Sequence, residues 1–263
     1  IVNMLYICIR AKITFQLRYF IELSYKGTNY HGWQLQPNAI SVQELLNKAL
    51  TTIFRIPINV VGAGRTDSGV HAEQLFAHID LEAEFKVNEV LYKLNSILPE
   101  DIVVNDIFKV KSDAHARFDA TSRSYEYRIY SGRNPFCTET TWQLINKKLN
   151  VSKMNEAASI LLTYTDFKCF SRSKSDVRTF DCDVMRAEWI ETDKLLIFYI
   201  TADRFLRNMV RAVVGTLLEV GEGKITIEEF KKIIESKDRC EAGPSAPSQG
   251  LFLTQVSYAK TIF

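Results

Sequence analysis

The sequence RYFIELSY, residues 18–25, alternates apolar and polar side chains as a β-strand does. SVQELLNKALTTIF, residues 41–54, follows it with the apolar spacing of an amphipathic helix, and Ser41 with Glu44 predicts a capping box at its start. A second helix is predicted at 87–98, and further strands at 58–62, 73–81 and 101–110. The resulting order, β-α-β-β-α-β, is that of a ferredoxin-like unit.

The second half of the chain repeats this order with one extra helix. The predicted elements are, in order, a strand at 123–130, a helix at 152–163 capped by Ser152, strands at 179–190 and 194–201, a helix at 204–219 capped by Asp203, a helix at 226–236 with a capping box of Thr226 and Glu229, and a strand at 250–258. We therefore predict an α+β fold of two ferredoxin-like (RRM-like) subdomains, residues 18–112 and 113–263, whose antiparallel sheets meet to form a central cleft. Residues 1–17 are predicted to be an N-terminal extension.

The composition is that of a globular protein, with 46% hydrophobic and 24% charged residues among 263. A net charge of +2 excludes a globally basic nucleic-acid binder, although a local basic surface remains compatible with it. The five cysteines form no C-x-x-C pair, which argues against a zinc site or a disulfide framework and favours a reducing cytoplasm. No apolar run has the roughly 18–20 residues that span a membrane.

The most unusual segment is GAGRTDSGVHA, residues 62–72, which has three glycines within eight residues between two predicted strands. Glycine permits tight turns and close backbone approach, so this loop can hold the charged side chains of Arg65 and Asp67 out into a cleft. Residue types alone leave a second interpretation open, a structural ion pair or turn cap. The four histidines of the chain lack H-x-x-x-H or H-x-H spacing, so metal binding is not expected, and His71 is expected to brace the loop of Asp67.

The segment resembles the active-site motif of the tRNA pseudouridine synthase A (TruA) family, in which the aspartate is the nucleophile. The resemblance covers most of the chain apart from residues 1–17. Its other matches are, in order, YKGTNYHGWQLQ (25–36), SVQELLNKAL (41–50), LPEDI (98–102), AHARFDATSRSYEYRIY (114–130), DFKCFSR (166–172), FLRNMVRAVVGTLLEVG (205–221) and APSQGLFL (246–253).

The resemblance implies an isomerase that converts uridine to pseudouridine in the anticodon stem-loop of tRNA, at positions 38, 39 and/or 40, without a cofactor. Asp67 is then the nucleophile, and Arg211, in the MVR string, is its ion-pair partner. Tyr125 is implied to stack on the target uracil, with its hydroxyl as a candidate for removing the C5 proton. The family also implies a homodimer that grips one tRNA across both subunits. The sequence leaves open whether Asp67 attacks ribose C1′ or uracil C6, and which tRNAs are modified.

The tRNA surface is expected to be assembled from scattered basic residues, since RNA is recognised largely by shape and phosphate contacts. On the predicted helix 204–219, the residues Arg204, Arg207 and Arg211 would share one face, although a solvated basic face is the alternative for the first two. The expected substrate-binding residues are Arg65, Arg117, Arg123, Lys168, Arg172 and Arg207.

Two other functions compete with this interpretation. A non-catalytic RNA-binding protein of ferredoxin-like fold would use sheet aromatics such as Tyr125 and Tyr127, but it leaves the glycine-rich loop unexplained. An aspartic protease would use Asp67-Ser68-Gly69, but its chemistry needs two carboxylates that share a proton. No second D-[ST]-G string occurs in the chain, so a protease would have to be a dimer.

Overall fold

The computed structural model describes residues 16–172 and 177–262, so the predicted extension at 1–17 lies almost wholly outside the described residues. The helices and strands are β1 (Leu17–Tyr25), α1 (Val42–Phe54), β2 (Val61–Gly62), β3 (His71–Leu81), α2 (Val87–Ile97), β4 (Ile102–Val110), β5 (Ala120–Ser131), β6 (Trp142–Leu144), α3 (Val151–Ile160), β7 (Val184–Thr192), β8 (Leu195–Ala202), α4 (Met209–Gly221), α5 (Ile227–Ser236) and β9 (Leu251–Tyr258). The fold is mixed α+β, as the alternation of the two hydrophobic periods predicts.

The strands form one continuous sheet in the order β4-β1-β3-β9-β5-β8-β7, with β2 beside β3 and β6 beside β5. The pairs along this order are antiparallel except for β3 with β9. That parallel pair has only two partnered positions, His71 with Phe252 and Ala72 with Leu253. We call this short pairing the seam, because it joins the strands of the two halves of the chain edge to edge.

Each half of the chain buries its own hydrophobic cluster. The helices α1 and α2 pack on the first, which includes Phe20, Leu46 and Leu75. The helices α3, α4 and α5 pack on the second, which includes Phe198 and Val213. The two clusters meet at the seam, because Val70 of the first half belongs to the second cluster, Leu253 and Val256 of β9 belong to the first, and Tyr125 packs against both.

The predicted helix starts are correct where the cap is local. The Ser41 hydroxyl accepts a hydrogen bond from the Glu44 amide at the start of α1, although the Glu44 carboxylate is engaged by Lys48. The capping box of Thr226 and Glu229 is complete at the start of α5. A cap of this kind satisfies backbone amides that the first helical turn leaves without partners.

Two helix starts differ from the prediction, and two predicted strands begin several residues later than expected. The N-cap of α3 is Asn150, not Ser152. Of the strands expected at 58–62 and 179–190, the first is reduced to β2 and the second begins only at Val184.

The start of α4 is the difference that matters for function. This helix begins at Met209 with Asn208 as N-cap at φ 66°, because the carboxylate of the expected cap, Asp203, accepts from the amides of Asp183 and Arg204 in a loop. The prediction that Arg204 and Arg207 share a helix face with Arg211 is therefore wrong.

Within residues 16–172 and 177–262, no helix combines the length and the apolar character that crossing a membrane requires. The same part of the chain holds no group of three or more His, Cys, Asp or Glu side chains arranged to bind a metal ion.

Candidate active site

Asp67 lies on the loop between β2 and β3, and the segment that follows β1 fixes the backbone on either side of it. The Thr66 carbonyl accepts from the Trp33 amide at 3.3 Å, and the Gly69 amide donates to the Tyr30 carbonyl at 3.2 Å. The Thr66 hydroxyl is 2.7 Å from the hydroxyl of Tyr25, a buried contact. The loop is therefore rigid around Asp67, whose side chain is 29% exposed and remains accessible to a substrate.

Glycine is required where other segments touch this loop. Gly32 has a φ of +86°, and a Cβ there would lie 2.2 Å from the Thr66 carbonyl oxygen. Gly69 has a φ of +77°, and a Cβ there would lie 2.6 Å from the Ser248 hydroxyl oxygen. At Gly32 both the backbone conformation and the approach to a backbone atom disfavour a larger residue, whereas at Gly69 the backbone conformation does so, because the Ser248 hydroxyl can rotate away. Gly32 and Ser248 are not among the residues predicted for the site, although both lie within segments that carry the family resemblance, YKGTNYHGWQLQ and APSQGLFL.

Arg211 reaches Asp67 from the other half of the molecule. Its Nη1 lies 3.6 Å from Asp67 Oδ2, which is an ion-pair distance and longer than a hydrogen bond. Its Nε donates to the Ala246 carbonyl at 2.7 Å, and the Ala246 amide donates to the Arg211 carbonyl at 2.9 Å. The guanidinium is thus oriented by the segment before β9, and the predicted pair of Asp67 and Arg211 is brought together.

His71 joins the two halves beneath the loop, as expected for a brace. Its Nδ1 accepts from the Gly27 amide at 3.0 Å, so the proton resides on Nε2, which donates to the Gln249 carbonyl at 3.1 Å. The ring stacks on Phe252 with centroids 4.5 Å apart. Burial lowers the pKa of His71, which keeps the ring neutral and preserves this tautomer.

Tyr125 lies on β5, half-buried beside the seam. Its ring packs edge-on against Phe205 with centroids 5.1 Å apart. Burial raises the pKa of Tyr125 to about 12; the charge of Arg123 opposes this rise and that of Asp67 adds to it. The hydroxyl therefore stays protonated near neutral pH, where it can donate a hydrogen bond but is not a ready base.

Arg123 braces loops, since its terminal nitrogens are occupied by backbone carbonyls. Nη1 donates to Asp203 at 2.7 Å and to Ala120 at 3.0 Å, and Nη2 donates to Arg117 at 2.6 Å and to Ala63 at 3.1 Å. Its contacts do not favour the predicted role in binding phosphate. The partners come from three segments of the sequence, and only the structure shows that Ala63 and Asp203 converge on Arg123.

The remaining predicted tRNA contacts are exposed and fall into two groups. Arg65 lies on the Asp67 loop itself. Arg117 lies near this loop, because Arg123 binds the carbonyls of both Ala63 and Arg117. Arg172 and Arg207 are neighbours on the second half, where the Arg172 amide donates to the Arg207 carbonyl at 3.0 Å. Lys168 lies on the short 3-10 turn before Arg172, with its Nζ 5.6 Å from the centre of the Phe180 ring.

Comparison with known proteins identifies relatives over nearly the whole chain. A family model described as tRNA pseudouridine synthase matches residues 157–259. The tRNA pseudouridine synthase A of Bacteroides fragilis is 54% identical over 248 residues, which cover 94% of this chain and 98% of that protein. The proteins of the same name from Bacteroides thetaiotaomicron and Porphyromonas gingivalis are 53% and 49% identical, over 94% of this chain and 92% and 99% of their own lengths. Identity at this level along both halves, together with the motif around Asp67, shows that the chain belongs to the tRNA pseudouridine synthase A family.

Proposed function

We propose that this protein isomerises uridine to pseudouridine in tRNA, with Asp67 as the nucleophile. One observation carries the proposal: the Asp67 carboxylate sits on a fixed loop of the first half, 3.6 Å from the Arg211 guanidinium of the second half. A partly exposed carboxylate beside a cation at the junction of two cores is suited to attack an electrophilic carbon of a bound substrate.

The reaction is an isomerisation, so its atoms and electrons balance without a cofactor. The bond between ribose C1′ and uracil N1 breaks, the base turns, and C1′ bonds to C5. The C5 proton leaves, and N1 gains a proton. A carboxylate that attacks ribose C1′ or uracil C6 forms a covalent intermediate and departs when the new bond is complete. The position of Asp67 is compatible with both routes.

Arg211 and Tyr125 support this step in different ways. Arg211 holds the carboxylate in place and keeps a positive charge beside it, and its own orientation comes from the Ala246 carbonyl. Tyr125 offers an aromatic ring beside the seam against which the target uracil stacks. Its protonated hydroxyl can donate a hydrogen bond to the base. For Tyr125 to remove the C5 proton, its own phenolic proton must pass to another acceptor.

The substrate is proposed to be the anticodon stem-loop, with target uridines at positions 38, 39 and/or 40. A uridine in a stem must leave the base stack to reach Asp67, at a cost of a few kcal/mol. Arg65, exposed on the same loop, is proposed to fill the gap and contact phosphate. Arg117, Lys168, Arg172 and Arg207 are proposed to bind the backbone of the tRNA, while Arg123 holds the backbone at Arg117 and at Asp203.

The architecture is proposed to be two ferredoxin-like subdomains, 18–112 and 113–263. The sheet order supports this, because β4-β1-β3-β2 and β9-β5-β8-β7 have the same connectivity within each half. We further propose a homodimer that holds one tRNA across both subunits, on the family resemblance, and a cytoplasmic location, where tRNA is found.

The test measures tritium release from tRNA labelled at uridine C5. Asp67→Asn is expected to abolish release, because an amide is a poor nucleophile, while the melting temperature and tRNA affinity are retained. Asp193→Asn is the matched control: it removes the same charge from an exposed turn where φ is 50°, a conformation that Asn adopts well. Appreciable pseudouridine formation by purified Asp67→Asn, free of host enzyme, would refute the nucleophile.

A further inference from the structure

Phe118 is a large aromatic side chain that the fold leaves 74% exposed beside the active-site loop. It follows Arg117, whose guanidinium carbon is 5.7 Å from the centre of the Phe118 ring. The loop that carries it is well braced, so its exposure is a property of an ordered segment.

The neighbouring His115 holds the Phe118 ring and its backbone in the outward position. The His115 ring lies against it with centroids 4.3 Å apart, and His115 Nδ1 accepts from the amides of Arg117 and Phe118 at 3.1 and 3.3 Å. The His115 amide donates to the Asp119 carboxylate at 2.7 Å. The His115 ring also packs edge-on against the buried ring of His78, with centroids 4.7 Å apart. Phe118 is thus the outer end of a column of rings that begins in the core.

The surroundings of this ring are cationic. The Arg123 guanidinium binds the carbonyls of Ala63, Arg117 and Asp203, so it gathers three segments at one point. Arg65 and Arg204 follow Ala63 and Asp203 closely in the chain. Burial lowers the pKa of Arg117, and the positive charges of Arg65 and Arg204 lower it further, which agrees with this convergence.

We propose that Phe118 is a stacking platform for an unpaired RNA base next to the target uridine, with Arg117 and Arg65 binding the adjacent phosphates. An apolar ring among guanidinium groups suits a ligand that combines aromatic faces with negative charge, and it suits an apolar protein surface poorly. The inference rests on the proposed function and assigns a binding role to a residue outside the reacting centre.

The test measures tRNA affinity in the Asp67→Asn background, where binding is separated from turnover. Phe118→Leu removes the aromatic ring, and we expect the Kd for tRNA to rise about tenfold or more. Phe118→Tyr keeps the ring and should stay within about twofold of the parent. Phe136→Ala is the control, because it removes an exposed aromatic ring outside the proposed site. Phe136 is 96% exposed in the turn Pro135–Cys137.

A second measurement reports stacking directly. A 2-aminopurine placed beside the target uridine should lose fluorescence on binding to the parent protein and keep it on binding to Phe118→Leu. A Kd for Phe118→Leu within twofold of that for Phe136→Ala, or quenching that persists without the ring, would overturn the proposal. A shift of Phe118→Leu to a smaller oligomer in size-exclusion chromatography, with unchanged tRNA affinity, would assign the ring to a subunit contact instead. Activity retained by Asp67→Asn would refute the proposed nucleophile but leave the binding comparison valid.

Discussion

Gly32→Ala is the change that should separate active-site geometry from overall stability. A methyl group at position 32 would lie 2.2 Å from the Thr66 carbonyl oxygen and 3.1 Å from the Asp67 carbonyl carbon. Carbon atoms of side chains stay at least 3.0 Å from such atoms, so the Gly32 segment and the Asp67 loop must separate by the difference of 0.8 Å or more. Asp67 would then move relative to Arg211, which is anchored independently at Ala246.

The expected magnitude follows from this displacement. A misplacement of about 1 Å in a reacting group lowers the rate by about 100-fold. Overpacking costs roughly 1–3 kcal/mol of stability, and the left-handed backbone of an alanine adds roughly 1–2 kcal/mol. We therefore expect kcat for pseudouridine formation to fall about 100-fold, while tRNA affinity falls less, because Arg65 is the proposed tRNA contact on the displaced loop and the basic residues of the second half are undisturbed.

Gly223→Ala is the control for the cost of the backbone conformation alone. Gly223 has a φ of +72°, and a Cβ there would meet no atom within 4 Å. It should lose roughly 1–2 kcal/mol in a urea unfolding experiment and keep full activity in the tritium-release assay. If Gly32→Ala matched Gly223→Ala in both kcat and stability, the close approach behind the loop would not set the position of Asp67.

Two further predictions concern Tyr125 and His78. Tyr125→Phe should keep more tritium-release activity than Tyr125→Leu, because stacking needs the ring; equal loss in two folded variants would show that the hydroxyl is essential. The free energy of unfolding, measured with urea, should fall by about 3 kcal/mol between pH 6.5 and pH 4 through His78, whose pKa burial lowers from 6.5 to about 4. The unfolded chain binds this proton more tightly than the folded protein does, so acid favours unfolding; a flat profile, or the same slope in His78→Gln, would contradict this.

Elements with local signals were predictable from the sequence. The capping box of α5 needs only Thr226 and Glu229, three residues apart, and β1 needs only its own alternation of apolar and polar residues. The start of α4 was not predictable, because Asp203 is a good cap by type but its carboxylate is used by the amide of Asp183, in a segment beside β7. A hydrogen bond from an amide in another segment gives no signal in the sequence around the helix start.

The site shows the same division between local and distant information. The glycines around Asp67 indicate a special loop, but Arg211 lies in the other half of the chain, and within the sequence only the family resemblance pairs the two. Arg123 shows the converse case. The sequence predicts it as one of the scattered basic residues that bind tRNA, whereas the structure shows its terminal nitrogens donating to the carbonyls of Ala63, Arg117 and Asp203, of which only Arg117 is near it in sequence.

The distance between Asp67 and Arg211 is therefore set mainly by the contacts around the ion pair. A salt bridge whose side chains are 29% and 22% exposed is screened by water and contributes about 1 kcal/mol at most. The seam has only two partnered positions, but hydrophobic packing crosses it, because Leu253 and Val256 of β9 belong to the first cluster and Val70 belongs to the second. Hydrogen bonds add to this packing: His71 links Gly27 to Gln249, and Arg123 links the backbone before the Asp67 loop to the backbone before α4. Because these hydrogen bonds join backbone atoms, they help to position the nucleophile and its partner while leaving both side chains free to meet the substrate.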